Sequence, residues 1–308
     1  MSARFAIEAL KQLREEDYRL LVAVERGMIN HEYVDVKLVA GISGLEEEYV
    51  AGRLKGLARL GLLQRYKGSF TGYVLATRGY DCLALYVLVK RGTLSQLSPS
   101  PYGEGKESEV YLGKTVGERV VVVKFHRAGR TSFRRAKLVR GYIADKRHFS
   151  WLYSARLAAM REYEALRILW KRGASVPEPI DWNRHVVVTG YVEGDELYLV
   201  PELSDPKAFM ERVLLEVEKC YGAGVVHGDL SEYNVLVARG EKPVLIDWPQ
   251  WIPSSHPMTS FYLKRDIVNI ASFFAKKYRV SVDPERLGEE FLKRMRPHYT
   301  PSLGSEAP

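Results

Sequence analysis

The stretch His227-Gly228-Asp229-Leu230-Ser231-Glu232-Tyr233-Asn234 constrains this chain more than any other. Asp229 and Asn234 stand five positions apart, and Asp247 follows thirteen positions after Asn234. The apolar run Val244-Leu245-Ile246 leads into that Asp247, which reads as a buried strand carrying a carboxylate to a sheet edge. An H-x-D-x-x-x-x-N loop followed by a strand-end Asp is a layout for phosphoryl transfer. The first Asp handles an attacking hydroxyl, and the Asn and second Asp hold Mg²⁺ between phosphates. The rest of the chain must then supply a nucleotide clamp.

The chain is long enough to do so. Its 308 residues suit two or three domains, and 46% hydrophobic with 11% aromatic residues supports a sizeable core. Cys82 and Cys220 lack metal-ligand spacing and suit a reducing interior. No apolar run approaches the roughly 20 residues of a membrane span. The N-terminus alternates charge and apolar residues without a secretion signal, so a cytoplasmic chain, away from membranes, is expected. The formal charge of +8 is concentrated: His126–Arg147 holds eight Lys/Arg against the single Asp145. A patch of that kind points to a polyanionic partner.

Residues 1–91 read as a small helical domain. Leu10, Leu13, Leu20, Leu21 and Val24 are spaced for a first helix, and Val34–Val39 for a second that stops at Gly41. Val50, Leu54 and Leu57 form the stripe of a third helix, which Gly61 ends. Leu62–Tyr66 and Gly72–Ala76 flank a turn, and Thr77 is placed to cap a last helix running to Val89. This is winged-helix order, a fold whose third helix and wing can meet nucleic acid. Glu46-Glu47-Glu48 at the head of that third helix disfavours base-specific DNA reading and leaves RNA backbone or a protein as the expected contact. Residues 92–101, polar and proline-punctuated, read as a linker.

The clamp is expected next. Gly103 and Gly105 lie in a loop between two strands, and Val120–Val123 leads to Lys124, nineteen residues after Gly105. Glycines let the backbone close over phosphates, and a lysine at that strand end bridges them. Lys124 needs a carboxylate. Of Glu162 and Glu164 on the helix over 154–170, Glu162 shares a face with Ala159 and Leu166, and Glu164 falls to solvent. The strand His185–Val188 leads to Thr189-Gly190-Tyr191-Val192, the candidate hinge for the adenine. His227 reads as a packing residue and Asp266 as a structural acceptor for the loop backbone.

With these segments identified, the chain resembles the RIO atypical protein kinases, in their winged-helix-bearing second type. GEGKESEVY (103–111), VKFHRAGRTSFR (123–134), HGDLSEYN (227–234), LIDWPQ (245–250) and LKRDIVNI (263–270) carry the likeness, which runs from near residue 1 to about 290. The resemblance implies an α+β chain in which an N-terminal winged helix precedes a bilobal kinase-like domain. The small lobe would span 102–192 with a basic flexible loop at 127–147, the large lobe 193–290 and a tail 291–308. It implies a serine/threonine kinase or ATPase using ATP with Mg²⁺, or Mn²⁺, in maturation of the small ribosomal subunit.

Carried over by position, Asp229 is the catalytic base, Asn234 and Asp247 are metal ligands, and Lys124 acts with them. Gly103, Gly105, Lys106, Glu107, Ser108, Val110, Glu162, Gly190, Tyr191 and Val192 complete the nucleotide set. In this family the Asp matching Asp247 can itself accept the phosphoryl group, which makes turnover a change of state. Trp248-Pro249-Gln250 in place of Phe-Gly, and the lack of an Ala-Pro-Glu anchor, agree with a shortened substrate-docking segment. Thr189-Gly190 departs from the Met-Glu hinge pair expected of the family.

Arg130, Arg134, Arg135, Lys137 and Arg140, interleaved with Phe133 and Tyr142, suit contact with ribosomal RNA. Thr131 and Ser132 are candidate autophosphorylation sites. The partners expected are a small-subunit precursor with its rRNA and assembly proteins, met by a monomer. Two alternatives stay open: an aminoglycoside- or choline-kinase-like phosphotransferase, which shares HGDxxxxN, and a catalytically dead nucleic-acid-binding assembly factor.

Overall fold

The structure, a computed structural model, describes residues 12–105, 107–127 and 151–295. They fall into two compact units. Unit 1 holds the residues up to Met160 with Ile180–Val188, and unit 2 holds Arg161–Pro179 with the residues from Thr189 onward.

Unit 1 opens with α1 (Glu15–Gly27), β1 (Val34–Asp35), α2 (Val36–Ser43), α3 (Glu47–Arg59), β2 (Leu63–Lys67), β3 (Thr71–Leu75) and α4 (Thr77–Lys90). The strands pair in the order β1-β3-β2, with β2 and β3 as the wing of a winged helix. Val50, Leu54 and Leu57 of α3 are buried, as their spacing requires. Gly61 ends that helix at φ +72°, and the N–H groups of Gly61 and Leu62 donate to Ala58 and Leu57 carbonyls at 3.0 Å each. Ala76, not Thr77, takes the N-cap position of α4.

A second sheet follows, ordered β4-β6-β7-β9-β8 with β5 on β6. Its strands are β4 (Gln96–Leu97), β5 (Gly103–Glu104), β6 (Ser108–Lys114), β7 (Val120–His126), β8 (Pro179–Asn183) and β9 (Val186–Gly190). Within the stretch 92–101, expected as a linker, Gln96–Leu97 form an edge strand of this sheet. Gln96 and Leu97 pair with Lys114 and Gly113, and the Ser95 and Ser98 N–H groups donate to Lys114 and Leu112 carbonyls at 2.8 Å each. Leu94 is buried against Gly113, where a Cβ would meet Leu94 Cδ1 at 2.8 Å and the Gln96 carbonyl at 2.9 Å. Polar composition describes the side chains of this edge, whereas its backbone pairs inward.

The winged helix and this sheet also share one core. Leu20, Leu21, Val24, Leu83 and Leu88 join Tyr111, Val121, Val123, Phe125 and Val186 in a single apolar cluster. Inside it lies a polar network. Asp81 of α4 is fully buried, and its Oδ1 accepts from His185 Nε2 at 2.7 Å and Arg127 Nη1 at 2.6 Å, its Oδ2 from Arg127 Nη2 at 3.0 Å. Burial alone would raise the Asp81 pKa, but the His185 hydrogen bond and the Arg127 charge outweigh it and hold the carboxyl at about 2.

In unit 2, α5 (Trp151–Lys171, its first residues in unit 1) precedes a sheet ordered β10-β12-β13. The elements are β10 (Gly194–Glu196), α6 (Pro206–Gly222), β11 (Val225–Val226), a 3₁₀ turn (Glu232–Asn234), β12 (Val235–Ala238), β13 (Lys242–Leu245), β14 (Ile252–Pro253), α7 (Thr259–Lys277) and α8 (Pro284–Met295). Its core gathers Phe209, Val213, Trp248, Ile267, Phe274 and Phe291. Residues 291–295, expected at the start of a tail, continue α8 because Phe291 and Met295 are buried on its inner face. Among the described residues, no helix is long and apolar enough to cross a membrane.

The depressed Asp81 pKa sets a stability signature. With a folded value of about 2 against an ordinary 3.8, the Asp81 contribution is present above pH 4 and is lost as pH falls toward 2. Asp81→Asn should lower stability at pH 7 by about 3–5 kcal/mol, the range for breaking a buried pair. Its stability should also fall less steeply than the unaltered chain's between pH 4 and pH 2 in urea titrations.

Candidate active site

The catalytic-loop residues are positioned by their neighbours in unit 2. β11 pairs with β14, Val226 opposite Ile252, and so delivers His227 and Gly228 to the end of a short ribbon. Gly228 takes φ +76°, and a Cβ there would approach the Gln250 carbonyl at 3.0 Å, so glycine alone fits comfortably. The turn that follows exposes backbone N–H groups inside the protein, and α7 satisfies them. Buried Asp266 accepts from the N–H of Gly228 at 2.8 Å and of Leu230 at 3.0 Å. Arg265 donates to the Gly228 carbonyl, and Asn269 Nδ2 to the Leu230 carbonyl at 3.1 Å. Burial pushes Asp266 up, to about 7, with the two N–H groups pulling the other way.

Held at both sides, the loop turns Asp229 outward. Its side chain is 70% exposed, with Arg265 Nη2 3.8 Å from Oδ1. Asn234, by contrast, is buried at the end of the 3₁₀ turn. Its Oδ1 accepts from Ser231 Oγ at 2.9 Å, and its Nδ2 lies 3.5 Å from Asp247 Oδ2. The Ile246 N–H donates to the Asn234 carbonyl at 2.9 Å, which fixes the spacing between loop and strand. His227 Nε2 is 3.0 Å from the Ile246 carbonyl, so that nitrogen donates, and the ring packs on Trp248 at 4.4 Å. His227 thus holds the approach to Asp247.

Asp247 sits at φ +68°, a left-handed conformation that a non-glycine residue adopts only when its surroundings enforce it. Two tryptophans that follow it hold the chain there. Trp248 is fully buried and donates its Nε1 to the Leu245 carbonyl at 3.2 Å. Further on, Trp251 Nε1 donates to the Arg161 carbonyl at 2.8 Å, and the Arg161 guanidinium donates back to the Pro249 and Trp251 carbonyls. Residues 248–258 then lead directly into α7.

Asn234 and Asp247 are neighbours, and each side chain carries an oxygen of the hard kind that Mg²⁺ selects, the Asn234 Oδ1 here accepting from Ser231. Among the described residues, no group of three or more His, Cys, Asp or Glu side chains is arranged around a common ion position. Glu196 of β10 belongs to the same neighbourhood and was not anticipated from sequence. Burial and then the Asp247 charge raise its pKa. No motif flags Glu196, because its nearness to Asp247 depends on β10 pairing with β12.

The other expected residues are distributed as follows. In unit 1, Gly103 pairs with Val110 across β5 and β6, the Gly105 N–H donates to the Ser108 carbonyl at 2.9 Å, and Lys124 lies opposite Val110 on β7. Glu107 is exposed, and Ser108, Val110 and Lys124 are half-buried. In unit 2, Glu162 is buried and Glu164 exposed on α5. The Gly190 N–H donates to the Glu178 carbonyl at 2.8 Å, Val192 is half-buried and Tyr191 is exposed. Lys106, Arg130, Thr131, Ser132, Phe133, Arg134, Arg135, Lys137, Arg140 and Tyr142 lie outside the described residues.

A winged helix, a glycine-loop sheet and an HGDxxxxN loop beside a strand-end Asp define a protein-kinase-like chain. The RIO domain family matches residues 109–287, and the family described as Rio2, N-terminal matches residues 10–91. The chain belongs to the RIO family of protein kinases. It is 42% identical to the RIO-type serine/threonine-protein kinase Rio2 of Methanocaldococcus jannaschii, over 84% of this chain and 96% of that protein. To serine/threonine-protein kinase RIO2 of Caenorhabditis elegans it is 39% identical, over 89% of this chain and 52% of the relative. The crystal structure of the Rio2 kinase–ADP/Mg²⁺–phosphoaspartate complex from Chaetomium thermophilum superposes with a TM-score of 0.80 at 32% identity, covering 93% of this chain and 88% of that one.

The dependence of the loop on Asp266 can be measured. Asp266→Ala leaves the Gly228 and Leu230 N–H groups without their acceptor, at about 1–3 kcal/mol each, so urea unfolding should report a loss of about 2–6 kcal/mol. Asp266→Asn, which keeps one acceptor oxygen, should lose less.

Proposed function

We propose that this chain is an ATP- and Mg²⁺-dependent serine/threonine kinase or ATPase whose nucleotide turnover passes through a phosphoryl group on Asp247. The observation that carries the reading is the Asn234–Asp247 pair, held beside an outward-facing Asp229 by buried anchors on both flanks. The phosphoaspartate in the Chaetomium relative supports it.

When bound, Mg²⁺ neutralises charge on the phosphates and leaves the γ-phosphoryl group open to attack. Asn234 and Asp247 would hold the ion. Lys124 and the backbone of Gly103–Val110 would hold the phosphates, and the Gly190–Val192 segment the adenine. Attack by an Asp247 oxygen forms an acyl phosphate, breaks the bond to the β-phosphate oxygen and releases ADP. The short connection from Asp247 to α7 leaves little chain to dock a peptide, which favours turnover as a switch. Asp229 then serves as base toward a hydroxyl, whether of water or of a Ser or Thr acceptor.

The working setting is maturation of the small ribosomal subunit, with precursor rRNA and assembly proteins as partners. The eight Lys/Arg between His126 and Arg147, against a single Asp, support a phosphate-rich partner.

Asp229→Ala should cut ATP turnover by about 10²–10⁴-fold, the range for a general base, with nucleotide binding near that of the unaltered chain. Turnover unchanged in a steady-state assay would sink the assignment. Incubation with labelled ATP should leave a hydroxylamine-labile label that Asp247→Asn removes; label resistant to hydroxylamine would point to Ser or Thr. Replacing Arg134, Arg135 and Lys137 by Ala should weaken RNA binding and flatten its salt dependence, from a slope of about −5 if six cations meet phosphates.

A further inference from the structure

A buried carboxylate in the winged helix is tied, through one arginine, to the glycine loop. Asp81 of α4 holds both terminal nitrogens of Arg127, at 2.6 and 3.0 Å. Arg127 Nη2 also reaches Glu109 Oε2 of β6 at 3.1 Å, and the Tyr111 hydroxyl donates to that same oxygen at 3.3 Å. The Arg127 backbone N–H donates to the Glu107 carbonyl at 2.7 Å. Glu107 lies inside the turn between β5 and β6, and Glu109 pairs with Glu104 on the other side of it. One residue therefore holds the loop by its backbone and the base of the loop by its side chain. His185 Nε2 completes the cluster on Asp81, and burial keeps the His185 pKa below its ordinary value, so the ring is a neutral donor there.

Ion pairs this deep contribute little net stability compared with an apolar contact of the same size, and their better-attested use is to specify one arrangement. The arrangement specified here is that of Glu107 and Glu109 relative to α4. A phosphate-binding loop works through backbone N–H groups at fixed positions, and a 1 Å displacement from a distant change can lower activity about 10²-fold.

We propose that Asp81 and Arg127 are positioning residues for the nucleotide loop, which makes the winged helix a structural part of the nucleotide site as well as a module in front of it. The proposal rests on the reading of Gly103–Val110 as that loop. Neither residue touches the reacting atoms. Their effect runs through the Glu107 carbonyl and the Glu109 carboxylate.

The fold supplies its own control. Arg184, in the β8–β9 turn, grips Glu25 of α1 with Nε at 2.9 Å and Nη2 at 2.5 Å. This second tie also joins the winged helix to the sheet, but neither partner contacts residues 103–110 through it.

The test compares Asp81→Asn, Arg127→Lys and Glu25→Gln in the full chain. ATP turnover gives KM and kcat, calorimetry with ADP and Mg²⁺ gives affinity, and urea unfolding gives stability. Asp81→Asn and Arg127→Lys should raise the KM for ATP and the ADP dissociation constant by about tenfold or more, with kcat changed much less. Glu25→Gln should lose stability while keeping the nucleotide affinity of the unaltered chain. Arg127→Lys keeps the charge opposite Asp81 and loses the two-pronged grip, so it decides the matter if Asp81→Asn does not fold. Nucleotide affinity in the folded variants equal to that of Glu25→Gln would overturn the proposal and leave Asp81 a purely structural charge. Failure of the unaltered chain to bind ADP with Mg²⁺ would instead remove the loop assignment on which the proposal stands.

Discussion

The candidate active site depends first on the acceptance of two backbone hydrogen bonds by Asp266. A loop that must turn sharply enough to present Asp229 and bury Asn234 cannot satisfy its own N–H groups. The Gly228 and Leu230 N–H groups are inside the protein, where an unmet donor is expensive. The carboxylate arrives from α7, whose Ile267, Ile270 and Phe274 are locked into the core of unit 2. The position of the loop is thus set by the helix behind it. Arg265 and Asn269, on the same helix, take the Gly228 and Leu230 carbonyls, so both polarities of the turn are answered by one element.

The surroundings of Asp247 obey a related constraint. A left-handed aspartate is strained, and the chain around it is held by the Trp248 bond back to the Leu245 carbonyl and, further on, by the Arg161–Trp251 exchange. Arg161 immediately precedes Glu162 on α5. The segment that follows Asp247 is therefore fastened to the unit 2 part of the helix carrying the expected lysine partner. Ordinary kinases move that segment to switch on and off. Here it is short and pinned by a reciprocal pair of side chain–backbone bonds, which leaves it little room to rearrange.

Much of this was legible in the residues. The Val50-Leu54-Leu57 stripe and Gly61 forecast α3 and its end, because amphipathic spacing and a left-handed stop are local properties. The outward Glu164 and inward Glu162 follow from helical periodicity alone. The anchoring role of Asp266 was legible through its neighbours in LKRDIVNI. What was not legible depends on long-range pairing. The partners of Asp81 lie 46 and 104 positions away, and nothing near Asp81 in sequence distinguishes a buried charge from a solvated one. Glu196 approaches Asp247 only because β10 lies beside β12. The stretch 92–101 looks like a linker by composition, and its edge strand Gln96–Leu97 was not legible because two residues leave no periodicity to read.

In both units, then, a polar side chain wholly or partly withdrawn from water fixes the backbone around the chemistry and takes no direct part in it. Asp266 accepts from loop N–H groups, Arg161 donates to carbonyls after Asp247, and Arg127, held by Asp81, binds the Glu107 carbonyl by its own N–H. Phosphoryl transfer asks for this division of labour. Its transition state needs little covalent help from a protein, so the catalytic effect comes from placing a few charges and donors accurately. Side chains that touch phosphate or metal must stay free to adjust to ligand. The accuracy has to be stored one step back, in groups whose desolvation makes any second arrangement costly. Buried ion pairs are poor sources of stability for the same reason that they are good at this: they penalise displacement more than they reward folding.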